Sequence, residues 1–184
     1  SVIDKEGLAV SNTTTLHYSW GSRIVVKDAG FLLNNIMNDF NWFPGHTDRS
    51  GNIGTKPNQI APGKRMLSSQ TPTIVAYKGR PVLITGSPGG RTIINTSLQM
   101  VLNVIEFDMD LPDAMRAARI HHQWLPDRID YETSGGQITE DTAAELKDKG
   151  HTLRARRKSS YQGDAHSISI DFDTGEFHGV ADWR

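Results

Sequence analysis

Four short stretches place groups together that could do chemistry. Residues 86–95 read GSPGGRTIIN, a glycine pair after an apolar run and before a helical pattern. Free N–H groups at such a helix mouth favour an anion, and glycines admit a ligand to the backbone without an intervening Cβ. A phosphate loop would need Lys then Ser or Thr after its last glycine. Here Gly90 is followed by Arg91 and Thr92, and the dinucleotide spacing fails too. Two readings stay open, a plain turn or a pair of N–H donors aimed at an oxygen that becomes negative during a reaction.

The other three stretches carry similar alternatives. Ser68 and Ser69, with Lys64 and Arg65 nearby, could bind a carboxylate or simply cap a turn. Asp39 follows Asn34, Asn35 and Asn38, so these polar groups either hold an amino group or form an Asx-type turn. Thr13 and Thr15 share one face of an expected strand, which is ordinary for a threonine run. Nowhere does spacing alone assemble a nucleophile, a base and an orienting group.

Other chemistries are excluded or disfavoured. There are no cysteines, so thiolate metal sites and a cysteine nucleophile are absent. His121 and His122 are consecutive and diverge in direction, a poor metal pair. A packed histidine with a backbone partner is expected there. Lys plus Arg is 20 against 21 for Asp plus Glu, a net charge of -1 that disfavours nucleic acid and anionic membrane surfaces. RARRK, residues 154–158, is expected as one solvated face of a strand. No apolar run reaches the roughly 18 residues of a membrane span.

The elements that must position these residues follow from periodicity. Strands are expected over 7–17, 22–26 and 31–35. Residues 41–67, rich in Gly, Pro, Asn and charge, lack apolar periodicity and read as a lid, a binding loop or a linker. A hairpin around Lys78-Gly79-Arg80 precedes the glycine pair. Ile93, Ile94, Leu98, Val101, Leu102 and Ile105 recur at helical spacing over 91–107. Helices are also expected over 111–119, capped by Asp110, and 140–149, ended by Gly150. A last hairpin turns at Asp173-Thr174-Gly175. This order predicts an α+β fold of antiparallel sheet covered by helices, in one domain over residues 1–184. Hydrophobic content of 36% is low and fits a globular chain that is not self-sufficient.

Taken together, SVIDKEGLAVSNTTTL, GFLLNN with MNDF, PGKRMLSSQTPTI, GSPGG, RIHHQWLP and the closing GVAD resemble the small, C-terminal subunit of a γ-glutamyltransferase (glutathione hydrolase) from end to end. The resemblance implies an N-terminal-nucleophile hydrolase fold, an αββα sandwich of two mainly antiparallel sheets between helices. It implies a precursor that cuts itself into a large and a small subunit. It also implies a threonine hydroxyl that attacks the γ-glutamyl amide, its own α-amino group serving as base. Gly89 and Gly90 then resemble the oxyanion hole. Ser68 and Ser69 resemble the pair on the donor's α-carboxylate, and Asp39 the carboxylate on its α-amino group. Thr15 resembles the second threonine, which orients the nucleophile, and 41–67 the lid loop.

Three departures from that pattern stand out. The family's small subunit begins Thr-Thr-His-aromatic-Ser before Val-x-Asp, so Ser1 matches the fifth residue and the nucleophile is expected four positions earlier. Ile36 stands where Glu or Gln is usual, and His17 where Asn or Glu contacts the donor. Ser50 lies near the place of the lid tyrosine. The first reading is therefore cleavage of γ-glutamyl amides, with transfer to water, an amino acid or a dipeptide. A glutaryl-type acylase and an inactive binding relative are the alternatives. The implied partner is the large subunit, the substrate a small γ-glutamyl compound, and the location periplasmic or extracellular. No metal or organic cofactor is implied.

Overall fold

The computed structural model describes residues 1–133, 136–157 and 160–184, and these form two compact units. The first comprises Ser1–Thr13, Ser69–Gln123 and Asp127–Arg184; the second comprises Thr14–Ser68 and Trp124–Pro126.

In the first unit the strands are β1 (Val2–Ile3), β2 (Ala9–Val10), β3 (Thr73–Tyr77), β4 (Arg80–Thr85), β5 (Ile120–His121), β6 (Ile129–Tyr131), β7 (Leu153–Ala155), β8 (His166–Ile170) and β9 (Phe177–Ala181). The helices are α1 (Ile93–Val101), α2 (Leu111–Arg116) and α3 (Glu140–Asp148). The main sheet is antiparallel in the order β3-β4-β8-β9. A smaller sheet, β5-β6-β7, contains one parallel pair, and β1 pairs with β2.

The β3–β4 hairpin forms where expected. Its two turn residues, Lys78 and Gly79, both have positive φ (48° and 79°), the backbone twist that suits a two-residue hairpin loop. Val75 and Leu83 face each other across it and pack with Met100, Leu111, Ala114, Met115 and Ala165. On the opposite face Ile74, Ile84 and Ile168 are in register, and Ile84 is buried. A sheet apolar on both faces belongs to a layered fold in which each face is covered.

The helices differ in detail from the periodicity. The 91–107 pattern opens as a 3-10 turn, Gly90–Thr92, continues as α1 and ends in a π-helical turn, Leu102–Glu106. Asp110 caps α2, its carboxylate accepting the Asp113 N–H at 2.7 Å. This helix stops at Arg116, short of 119, because Arg119 turns into the interior, where it is 2% exposed. In α3 the cap is Thr139, and Gly150 (φ 91°) ends the helix as expected.

The amino-terminal strands are largely absent. Over 7–17 only β2 forms, and over 22–26 and 31–35 only the single bridge Val25 to Leu32. Positive φ at His17, Trp20, Arg23 and Asp28 turns this backbone out of extended conformation. High β-propensity does not make a strand without a partner ladder. Residues 41–67 are more ordered than their composition predicts. Buried Asn58, in the 3-10 turn Lys56–Asn58, donates to the Asp39 carbonyl (2.7 Å) and accepts the Leu67 N–H (3.0 Å). The RARRK run is not one solvated face. Arg154 clasps Asp130, Arg156 donates to the Ser160 and Tyr161 carbonyls, and Lys158 lies outside the described residues.

Candidate active site

The glycine turn lies in the first unit, between β4 and α1. Gly89 has φ 137° and Gly90 φ 58°, conformations that L side chains rarely adopt. A Cβ on Gly89 would lie 2.6 Å from Thr92 Oγ1, whereas one on Gly90 would meet nothing within 4 Å. Gly90 therefore presents open backbone. Neither the Gly89 nor the Gly90 N–H has a hydrogen-bond acceptor among the described residues, whereas the Gly89 carbonyl is occupied by Thr92 N–H (3.2 Å) and Oγ1 (2.9 Å). These two adjacent N–H groups lie at the 3-10 turn that leads into α1, a kind of position that favours an anion.

This turn is held from behind by residues that the sequence pattern does not single out. Ser87 Oγ donates to the Pro88 carbonyl (2.7 Å) and accepts the Asp164 N–H (3.0 Å). Gly163 makes the approach possible, since a Cβ there would sit 2.5 Å from Ser87 Oγ and 2.9 Å from Thr96 Oγ1. The 162–165 segment is fixed in turn by a buried ionic cluster. Arg119 donates to Asp182 (2.7 Å) and the Gln162 carbonyl (2.8 Å). Glu132 accepts the Gln162 N–H (2.6 Å) and pairs with Arg184 (2.8 Å), and Asp182 accepts the Ala165 N–H (2.8 Å). Burial pushes the Asp182 carboxyl up. The Arg119 charge, the Ala165 N–H and the Arg184 hydrogen bond outweigh it and hold the carboxyl below its ordinary value. Ser69, also in this unit, is half-buried, and its carbonyl accepts the Thr71 hydroxyl (3.0 Å).

The second unit brings Thr15, His17 and Asp39 together. Thr15 Oγ1 accepts the His17 N–H at 2.8 Å, and His17 Nδ1 lies 3.4 Å from Asp39 Oδ1. Asn35 sets this geometry by linking the two segments. Its Oδ1 accepts the Tyr18 N–H (3.1 Å), and its own N–H donates to the Leu16 carbonyl (3.1 Å). Asn34 makes an Asx-type turn to the Ile36 N–H (3.1 Å), which starts the 3-10 turn Ile36–Asp39. Gly21 allows the 20–23 turn to press on 33–34, where a Cβ would lie 2.3 Å from the Leu33 carbonyl. Ser68 belongs to the same unit and is exposed.

His121 is buried as expected, but its partners are side chains, Asn95 Oδ1 at 2.7 Å and Gln123 Oε1 at 2.8 Å. The backbone groups beside it are taken by Gln99, which bonds both the Ile120 N–H and carbonyl. Among the described residues no three His, Cys, Asp or Glu side chains gather where they could hold a metal ion. No described helix is long and apolar enough to cross a membrane.

This α+β architecture is that of solved γ-glutamyltranspeptidases, which are N-terminal-nucleophile hydrolases. One described as an acivicin-inhibited gamma-glutamyltranspeptidase superimposes with a TM-score of 0.87 at 39% identity, over 100% of this chain and 96% of its own. The enzyme from Pseudomonas nitroreducens gives 0.84 at 42%, over 99% and 92%. The Gamma-glutamyltranspeptidase family pattern matches residues 1–184, and the chain belongs to that family. The glutathione hydrolase proenzyme of Escherichia coli (strain K12) is 42% identical over the whole chain, and that of Bacillus subtilis (strain 168) 38% over 99% of it. The chain spans only 30% of the first and 28% of the second.

Proposed function

We propose that this chain is the catalytic small-subunit part of an enzyme that cleaves γ-glutamyl amide bonds, as in glutathione, through an acyl-enzyme. The observation that carries the reading is the Gly89–Gly90 turn. It offers two vacant N–H donors at a helix mouth, on backbone open to a ligand, in a chain of this family.

The attacking hydroxyl is assigned to the threonine that the family register puts four positions before Ser1. It adds to the γ-carbonyl carbon, and the carbonyl oxygen becomes an oxyanion accepted by the Gly89 and Gly90 N–H groups. Collapse expels the amine, which takes the proton the hydroxyl lost, and leaves an ester. Water or an amino group then attacks the ester and releases or transfers the glutamyl group. Thr15 Oγ1 already accepts the His17 N–H, which leaves its own O–H to orient the nucleophile. Ser68 and Ser69 take the donor's α-carboxylate and Asp39 its α-ammonium.

The remaining part of the precursor, the large subunit, is the proposed partner. The outer face of α1 and its π-helical turn supports this. Ile94, Leu98, Leu102 and Ile105 form an apolar stripe there and are 51%, 50%, 38% and 49% exposed. Such a stripe marks a face built to be covered.

The full-length protein, shown by mass to have cleaved itself, is mixed with γ-glutamyl-p-nitroanilide, with and without glycylglycine. Release of nitroaniline is expected, faster with the dipeptide. A self-cleaved protein that releases none refutes the reading.

A further inference from the structure

Ser87 and Thr92 bracket the Pro88-Gly89-Gly90 turn, and each hydroxyl donates to a carbonyl within it. Ser87 Oγ donates to the Pro88 carbonyl at 2.7 Å, and Thr92 Oγ1 to the Gly89 carbonyl at 2.9 Å. The Pro88 carbonyl shares its peptide plane with the Gly89 N–H, and the Gly89 carbonyl shares its plane with the Gly90 N–H. Both peptides are trans, so each N–H points away from the carbonyl of its own plane. A hydrogen bond that fixes the carbonyl therefore aims the N–H, in the opposite direction.

Backbone preference does not set these planes. Glycine accepts φ of either sign about as readily, so φ at 89 and at 90 leaves each peptide free to turn over. The hydrogen bonds supply the missing constraint, and their polarity is settled. Ser87 Oγ accepts the Asp164 N–H at 3.0 Å, which leaves its one proton for the Pro88 carbonyl. Thr92 adds its own N–H, at 3.2 Å, to the Gly89 carbonyl that its hydroxyl already holds. That hydroxyl occupies the space of a side chain at 89, since a Cβ there would lie 2.6 Å from Thr92 Oγ1. Ser87 is buried while Gly89 and Gly90 are exposed, so the first plane is anchored from the interior.

We propose that Ser87 and Thr92 are positioning residues, whose hydroxyls hold the two peptide planes so that the Gly89 and Gly90 N–H groups stand toward the oxyanion and do not turn away from it. The inference rests on the reading of these N–H groups as oxyanion donors. Losing one such donor outright lowers kcat about 10²- to 10³-fold. The Thr92 hydroxyl is one of two groups on its carbonyl, so its removal predicts a smaller fall, about three- to tenfold in kcat. KM changes little, because the aim of the donor matters to charge that develops in the transition state.

Thr92→Val removes the hydroxyl and nearly keeps the shape, and Thr92→Ser keeps the hydroxyl. Hydrolysis of γ-glutamyl-p-nitroanilide by the full-length, self-cleaved enzyme is measured without acceptor, and kcat and KM are separated. Thr92→Val should lower kcat about three- to tenfold with KM and the melting temperature little changed, and Thr92→Ser should restore most of the rate. Ser87→Ala should lower kcat at least as far, and its melting temperature should fall as well, because it leaves the Asp164 N–H without that acceptor. Crystal structures of the Thr92 variants give a readout independent of turnover. The Gly89–Gly90 peptide should be rotated, or split between two orientations, in Thr92→Val and single in Thr92→Ser. A Thr92→Val enzyme with wild-type kcat, or with that peptide unmoved, overturns the inference and leaves the γ-glutamyl reading standing. So does a Thr92→Ser enzyme as slow as Thr92→Val. A self-cleaved wild type without turnover overturns the reading and the inference with it.

Discussion

Gly163 sits at φ 72° with two hydroxyl oxygens, from Ser87 and Thr96, inside the space a Cβ would fill. Gly163→Ala should therefore move the Gly86–Gly90 turn as well as strain its own backbone, at a cost of about 1–3 kcal/mol. On the proposed reading, the expected result is a kcat lowered by tenfold or more with a smaller change in KM, since the displaced N–H donors are the ones assigned to the transition state's oxyanion. An unaltered kcat would mean that the turn tolerates the push. Gly89→Ala should be worse than Gly90→Ala in thermal stability, because both need positive φ but only Gly89 also has a hydroxyl 2.6 Å from the Cβ position. On the proposed reading, Asp39→Asn removes the charge assigned to the donor's ammonium and should raise KM about tenfold or more with kcat less affected. Initial-rate measurements over donor concentration check it.

At the scale of elements the buried cluster joins the end of α2, β6 and the residues after β9. Arg119, Asp182, Arg184 and Glu132 are all nearly inaccessible, so losing one partner strands a charge. Asp182→Asn should cost about 3–5 kcal/mol at neutral pH, read from the urea midpoint. Its pH dependence has a definite sign. The folded Asp182 carboxyl titrates below its ordinary value, so the stability it contributes is complete above the unfolded value, near 4, and fades as pH falls through the lower folded value. Asp130, where hydrogen bonds from Arg154 and Arg128 outweigh desolvation, adds to the same acid sensitivity. The wild type should lose stability on acidification below about pH 4 more steeply than Asp182→Asn does. The helix caps are smaller tests. Asp110→Ala should cost about 1 kcal/mol, because Asp110 holds the Asp113 N–H at the start of a helix whose Leu111, Ala114 and Met115 are buried. Thr139→Ala on α3, which buries no side chain, should fray that helix in hydrogen exchange and barely move the global midpoint.

For the whole molecule, the open question is what covers the exposed apolar residues. If the large subunit does, Leu98→Glu should leave the core of the first unit intact and reduce recovery of the two-part assembly, measured by size-exclusion chromatography of the full-length protein. Equal recovery would move the interface off this face. The core itself was legible. Residues from 73 to 85 announced a hairpin through their apolar runs and Lys-Gly turn, and Asp110 and Gly150 announced helix ends through capping chemistry, because both signals are local. Residues 7–35 misled for the same reason. Their Val, Thr and Leu content satisfies β-propensity, but a ladder needs a partner, and composition does not say whether one arrives. The site shows the same divide. Residue type left a turn open beside a binding role at Asp39, Ser68, Ser69, Gly89 and Gly90, and an ordinary strand face at Thr15; only the family resemblance gave these residues their proposed roles. The pairing of His17 with Asp39, the support of Ser87 by Asp164 across 77 positions and the entry of Arg119 into the interior came only with the tertiary structure. These depend on where distant backbone comes to rest, and no local preference encodes that distance.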